Sequence, residues 1–162
     1  VSDFSDMFFG AATFNRPLSL WDTSSGTNMT TMFAGNNAPM AFNQPIGNWN
    51  VSNVTSMTGM LHYCNSFDQD LSGWNVNAWN VIQQFGYPTL SGSNGTSDLN
   101  LSTTNYNALL IAWDNYGFPS TPTGIVQFGS SQYSLTSPGN SVVNARNSLI
   151  AKWGGISDGG GI

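Results

Sequence analysis

Large apolar residues return at fixed intervals along the first half of the chain, with Asn, Ser, Thr and Gly filling the spaces between them. Trp21, Trp49 and Trp74 stand 28 and 25 residues apart, and Phe14, Phe42 and Phe67 keep the same two intervals. Met7, Met32 and Met60 reverse the order, 25 and then 28. Three extra residues therefore fall between Met32 and Phe42, within AGNNAPMA, and the underlying period is 25. The unit is plain in VSDFSDMFFGAATFNRPLSLWDT and VTSMTGMLHYCNSFDQDLSGWNV. A unit this short cannot cover its own apolar face, so it reaches stability by lying against its neighbours. Trp79, Ile82 and Phe85 begin a fourth copy, which GYPTLSGSNGTS breaks off with turn formers. Gly26 stands where the other copies have Val1, Val54 and Trp79, and predicts a locally loose coil.

Within the unit, Met57, Met60, Leu61 and Cys64 follow a 3, 4, 7 spacing that predicts a short helical turn over 56–65 and its equivalents. A strand is predicted over 68–76, and parallel strands about 4.8 Å apart set the three Trp in one column. After Thr103 the period becomes helical: Tyr106, Leu109, Leu110 and Trp113 share one face, with Ser102 or Thr103 to cap and Gly117 to stop. A second helix takes Ser137 as N-cap, Pro138 as its first residue, a Val142, Ala145, Leu149, Trp153 stripe and Gly154 at its end. Residues 124–128 read as a short strand between the two helices. The predicted fold class is an α/β repeat: a leucine-rich-repeat-like solenoid of stacked strand and short-helix coils with a C-terminal helix-strand-helix cap. Residues 1–85 hold about three and a half repeats, 86–102 a linker loop, and 103–162 the capping segment.

The stretches SFDQDLSGWNV and AFNQPIGNWNVSNVTSMTGM resemble the BspA-like leucine-rich-repeat surface proteins, over residues 1–85. NYNALLIAWDNYGF, VQFGSSQYS and the final GISDGG are similar to the segment that closes such arrays. The resemblance implies an extracellular, often adhesive fold and names no ligand.

Charge narrows the function classes. Only 7% of the residues are Asp, Glu, Lys or Arg, against about 25% in ordinary soluble domains. None is Glu, and the net charge is -5. Arg16, Arg146 and Lys152 are the only basic residues, too few to displace counterions from phosphates, which argues against nucleic acid and anionic membrane as partners. No apolar run reaches 18 residues, so no direct membrane insertion is predicted. Cys64 is a single cysteine, without a partner for a disulfide. The chain begins at Val1 in mid-repeat, which reads as a fragment.

Two polar rows run through the repeats. Asn15, Asn43 and Asp68 each follow the repeat Phe and suit a ladder of bonds to turn backbone; Arg16, Gln44 and Gln69 come next and equally suit an outward binding surface. Both rows are candidate ligand-binding residues. The aromatic column Trp21, Trp49 and Trp74 is able to stack sugars, but a Trp at a fixed repeat position more often fills a core. Asp68 and Asp70 face one side of a predicted strand, too few oxygens for calcium, and the Asp158 end is no stronger. His62 and Cys64, two residues apart on a helical turn, point to different faces and make no nucleophile and base. No catalytic residue, metal ligand or cofactor is assigned. Glycosylation sequons stand at Asn28, Asn50, Asn53, Asn94 and Asn100.

These features predict a non-catalytic extracellular or cell-surface repeat protein. Its polar strand face would bind a host protein, a matrix protein or a glycan. The alternative is a structural subunit of a filament, sheath or virion, whose partners are copies of itself. An ice-binding face needs a regular Thr grid, and Thr27, Thr30 and Thr31 are not repeated in the next coil. An enzyme ranks last.

Overall fold

In the computed structural model, which describes residues 1–76, 99–116 and 126–162, the repeats lie side by side as three tiers. Tier 1 is residues 1–25, tier 2 is 26–53, and tier 3 begins at 54. The N–H groups of Phe4, Asp6, Phe8 and Gly10 donate to the carbonyls of Asn28, Thr30, Met32 and Ala34 at 2.8–3.0 Å. Those of Met29, Thr31, Phe33 and Gly35 donate in turn to Ser56, Thr58, Met60 and His62 at 2.9–3.0 Å. The tiers run parallel, with bridges joining Asp3, Asn28 and Ser56.

The predicted leucine-rich-repeat-like solenoid is not what these residues form. Among the described residues of the tiers there is no helix, and the only β pairing is those single bridges. Over 56–65 the chain makes turns whose amides reach back three residues: Met60 to Met57, His62 to Gly59, and Cys64 to Leu61. Two causes stop a helix. Gly59 and Tyr63 hold φ near +61° and +64°, a left-handed twist that an α-helix excludes, and Asp6 and Thr31 repeat it at the position of Gly59. The carbonyls of Ser56, Thr58, Met60 and His62 also accept amides of tier 2, which compete with helical bonds from four residues on. The 3, 4, 7 spacing still turns side chains inward: Met57, Met60, Leu61 and Cys64 are all buried.

The strand predicted over 68–76 is likewise a turn, closed by the Trp74 amide on the Leu71 carbonyl (3.1 Å); Trp49 does the same to Ile46 and Trp21 to Leu18. Close tier spacing requires glycine beside that turn. A Cβ on Gly47 would stand 2.2 Å from the Asp70 carbonyl oxygen. Gly26 is not loose, as its place in the repeat predicted. It is buried, and a Cβ there would meet the Phe4 ring and the Thr23 carbonyl at 3.0 Å, so the phenyl of tier 1 fills the space of the missing side chain. The three-residue insertion forms a corner. Asn36 and Asn37 are exposed, Asn37 is left-handed at φ 57°, and register returns where the Met40 amide meets the Tyr63 carbonyl at 2.8 Å.

Stacked aromatics fill the interior. Phe14, Phe42 and Phe67 follow one another at 6.1 and 6.0 Å, with Phe33 against Phe42 at 3.9 Å and Phe8 against Phe14 at 4.0 Å. The Trp21 and Trp49 rings lie 6.4 Å apart and nearly parallel.

Beyond the tiers, α1 (Thr103–Asn115) buries Tyr106, Leu109, Leu110 and Trp113, and the Ser102 hydroxyl accepts the Asn105 amide as its cap. Gly117, the predicted stop, lies outside the described residues, as do Trp79, Ile82, Phe85 and most of the predicted linker. Of the strand predicted over 124–128, residues 124 and 125 lie outside the described residues; Val126–Gln127 form β1, parallel to β2 (Ile156–Ser157), which the sequence reading lacks. The second helix starts later than Pro138. Pro138–Asn140 is a single 3-10 turn with Gly139 and Asn140 left-handed, and α2 (Ser141–Trp153) follows. Ser137 still serves it, accepting the Val142 amide at 3.2 Å. Gly154, at φ 87°, ends α2 in the left-handed conformation that glycine adopts most easily. The helices pack through Trp113 and Trp153, edge to face at 6.1 Å. No helix among the described residues is long and apolar enough to cross a membrane.

Candidate functional site

Each tier places an Asn or Asp just after its stacked Phe, and the stack brings these residues into one line. The Asn15 Oδ1 accepts the Asn43 amide and the Gln44 Nε2, both at 2.9 Å. One tier on, the Asn43 Oδ1 accepts the Asp68 amide at 3.0 Å and the Gln69 Nε2 at 2.7 Å. The row then crosses onto α1: the Asp68 Oδ1 accepts the Ser102 amide at 2.8 Å and the Asn105 Nδ2 at 2.9 Å. Ser102 and Asn105 thus occupy the places that an Asn and a Gln hold in a tier. Sequence reading found the row but not this final step. The signal was Ser102 and Asn105 at the helix start, legible only as a cap.

The ladder engages five of the six candidate ligand-binding residues in holding the tiers together. Arg16, the sixth, is exposed. Burial raises the Asp68 carboxyl, but the hydrogen bonds from Ser102 and Asn105 outweigh it and hold its pKa below the ordinary value. Because the folded pKa is the lower one, this stabilisation is complete above the unfolded pKa and is lost as pH falls through the folded pKa. Asp68→Asn keeps an acceptor oxygen in place, as Asn15 and Asn43 show. Its stability near neutral pH should stay within about 1 kcal/mol of the parent, and its decline in acid should be shallower. Thermal melts across the acid range check this. A variant that declines as steeply as the parent removes Asp68 from the account.

The Trp column is core. Trp49 and Trp74 are 3% and 0% exposed, and their indole Nε1 groups donate to the Leu18 and Ile46 carbonyls at 3.0 and 2.9 Å, each reaching the preceding tier. Only Trp21 is half-buried.

The remaining candidates fall apart. Asp70 is exposed and accepts the Ser72 amide in a tight turn at 2.8 Å. Asp158 is held by Arg146 through two bonds of 2.8 and 3.0 Å. Burial pushes the Cys64 thiol up to about 12, so it is protonated at neutral pH, and it points at the Phe33 carbonyl 3.3 Å away; the neighbouring His62 ring lies against Tyr63. No group of three His, Cys, Asp or Glu side chains converges among the described residues. Of the sequons, Asn50 accepts the Ser52 amide and hydroxyl, Asn28 accepts the Thr30 amide, and the Asn53 Nδ2 donates to the Ser24 carbonyl. Asn100 is exposed, and Asn94 lies outside the described residues.

Stacked aromatic tiers tied by an amide ladder place the chain among short-period repeat proteins. Residues 1–92 match the family described as "Mycoplasma protein of unknown function, DUF285", and the chain belongs to that family. No curated protein and no solved structure matches it.

Proposed function

We propose that the chain is a non-catalytic module of an extracellular, BspA-like surface protein, which binds a host protein, a matrix protein or a glycan through the outer rows of its tiers. One observation carries this reading: the tiers bury their large side chains and turn uncharged hydrogen-bonding groups outward at a repeated spacing. Asn48, Asn50, Asn53 and Thr55 are exposed, as is Arg16. Fixed rows of amides and hydroxyls match partners with regularly spaced polar groups. They also hold little side-chain freedom to lose on binding. The test is an array of glycans and matrix proteins probed with folded chain. Saturable binding to one class, weakened by replacing Asn48 and Asn53 with alanine, is the expected result, and no saturable binding to any component defeats the reading.

The second reading, a structural subunit of a filament, sheath or virion, draws on exposed apolar residues. Leu20 is 97% exposed and Leu135 and Ile162 are 50% and 57%, and few charges oppose lateral packing. A chain that stays monomeric at high concentration in sedimentation rules it out.

A further inference from the structure

Tier 3 carries a bulky side chain where the backbone calls for none. Gly10, Gly35 and Tyr63 hold one repeat position: the Gly10 amide donates to Ala34 and the Gly35 amide to His62, each acceptor standing one residue before the next member of the row. Gly10 is left-handed at φ 71°, and Tyr63 takes the same conformation at φ 64°. Glycine adopts it freely, whereas any other residue brings its Cβ against the following carbonyl oxygen. Strain of this kind persists only where the surrounding structure over-determines it, and it gathers at binding sites.

Core packing does not account for the tyrosine. Leu61 and Cys64 are 0% exposed, but Tyr63 between them is half-buried, its ring tilted against His62 at 4.3 Å. Its hydroxyl has no hydrogen-bond partner among the described residues. The tiers do fix where the residue stands. The Tyr63 carbonyl accepts the Met40 amide at 2.8 Å, and a Cβ on Gly35 would come within 2.7 Å of the Tyr63 Cβ. Tyr63 therefore lies beside the corner of tier 2, where Asn36, Asn37 and Pro39 are exposed. No Asp, Glu, Lys or Arg occurs in 34–41 or in 61–66.

We propose that Tyr63 is the aromatic platform of a binding site for a neutral glycan, with the side-chain amides of Asn36 and Asn37 beside it. The inference rests on the reading of the chain as a surface-binding module, and it selects the glycan among the partners named there. A sugar offers an apolar C–H face that lies on an aromatic ring and a rim of hydroxyls that bond to amides, which both donate and accept. An acidic sugar would find no cation at this corner to pair with. A tyrosine on a fixed backbone also has few torsions to lose on binding.

Tyr63→Gly separates this role from a structural one. The variant restores the residue that tier 1 uses, so its thermal midpoint should equal or exceed that of the parent. On an array of neutral oligosaccharides and matrix proteins, the parent should bind at least one oligosaccharide saturably, and Tyr63→Gly should weaken that binding about tenfold or more. Tyr63→Phe, which keeps the ring, should retain most of it. The proposal is overturned if Tyr63→Gly binds as tightly as the parent, if it melts lower, or if Tyr63→Phe loses as much binding as Tyr63→Gly. A parent that binds matrix proteins but no oligosaccharide removes the glycan site and leaves the surface-binding reading standing. A parent that binds nothing on the array removes both.

Discussion

Asp158→Ala is expected to lose about 3–5 kcal/mol of folding stability, the scale for removing one half of a buried ion pair. The Asp158 side chain is 2% exposed and that of Arg146 is 16%. Both guanidinium bonds end on this carboxylate, which also accepts the Tyr106 hydroxyl at 2.7 Å and the Gly160 amide at 3.2 Å. Burial first, and then the adjacent Asp158 charge, push the Tyr106 phenol well above its ordinary pKa, so it remains a neutral donor. Arg146 further lies over the Tyr133 ring, 4.8 Å from its centre. Without Asp158 a cation, a hydroxyl and an amide are left facing one another in a nearly dry space. Lys152 and Asp114 make the control: they pair at 2.7 Å between the ends of α2 and α1 but remain a quarter to a third exposed. Breaking that pair should change stability by less than about 1 kcal/mol. Denaturant melts compare the two, and an Asp158→Ala loss no larger than the Asp114→Ala loss would falsify the assignment.

Phe42→Ala should be as damaging, again by about 3–5 kcal/mol, the range for deleting a fully buried phenyl. Phe42 is 0% exposed and touches rings in its own tier and in both neighbours: Phe33, Phe14 and Phe67. Phe14 holds the same repeat position at the open end and is only partly buried, so Phe14→Ala should lose clearly less. The ordering is the sharp part of this expectation. Equal losses at the two positions would mean that the rings act independently of the stack.

The spacing of Phe14, Phe42 and Phe67 was legible because neighbouring tiers bury like against like, and the Asn row was legible for the same reason. The elements inside a tier were not. Side-chain periodicity reports which residues point inward, and Met57, Met60, Leu61 and Cys64 do so from a string of turns as well as they would from a helix. What decides between the two is backbone conformation. Left-handed twists fall on Asp6 and Thr31 as well as on Gly59; an aspartate only weakly favours one, and a threonine gives no sign of one in advance. In the C-terminal part, the buried stripes of α1 and α2 were readable, and the cap of α1 was narrowed to Ser102 or Thr103, of which Ser102 serves. The Arg146 pairing with Asp158 was not, because twelve residues and a chain reversal separate them. The hint was a lone arginine in the midst of the Val142, Ala145, Leu149 stripe.

The corner at 36–39 marks a place where the repeat tolerates unequal length. Three additional residues enter there, Asn36, Asn37 and Pro39 stand out in solvent, and by Met40 the amides again meet their partners one tier on. Loop growth at this corner leaves the packed rings undisturbed. Insertions of other lengths at this bend are therefore expected to be absorbed in solvent while the frame behind them keeps its shape.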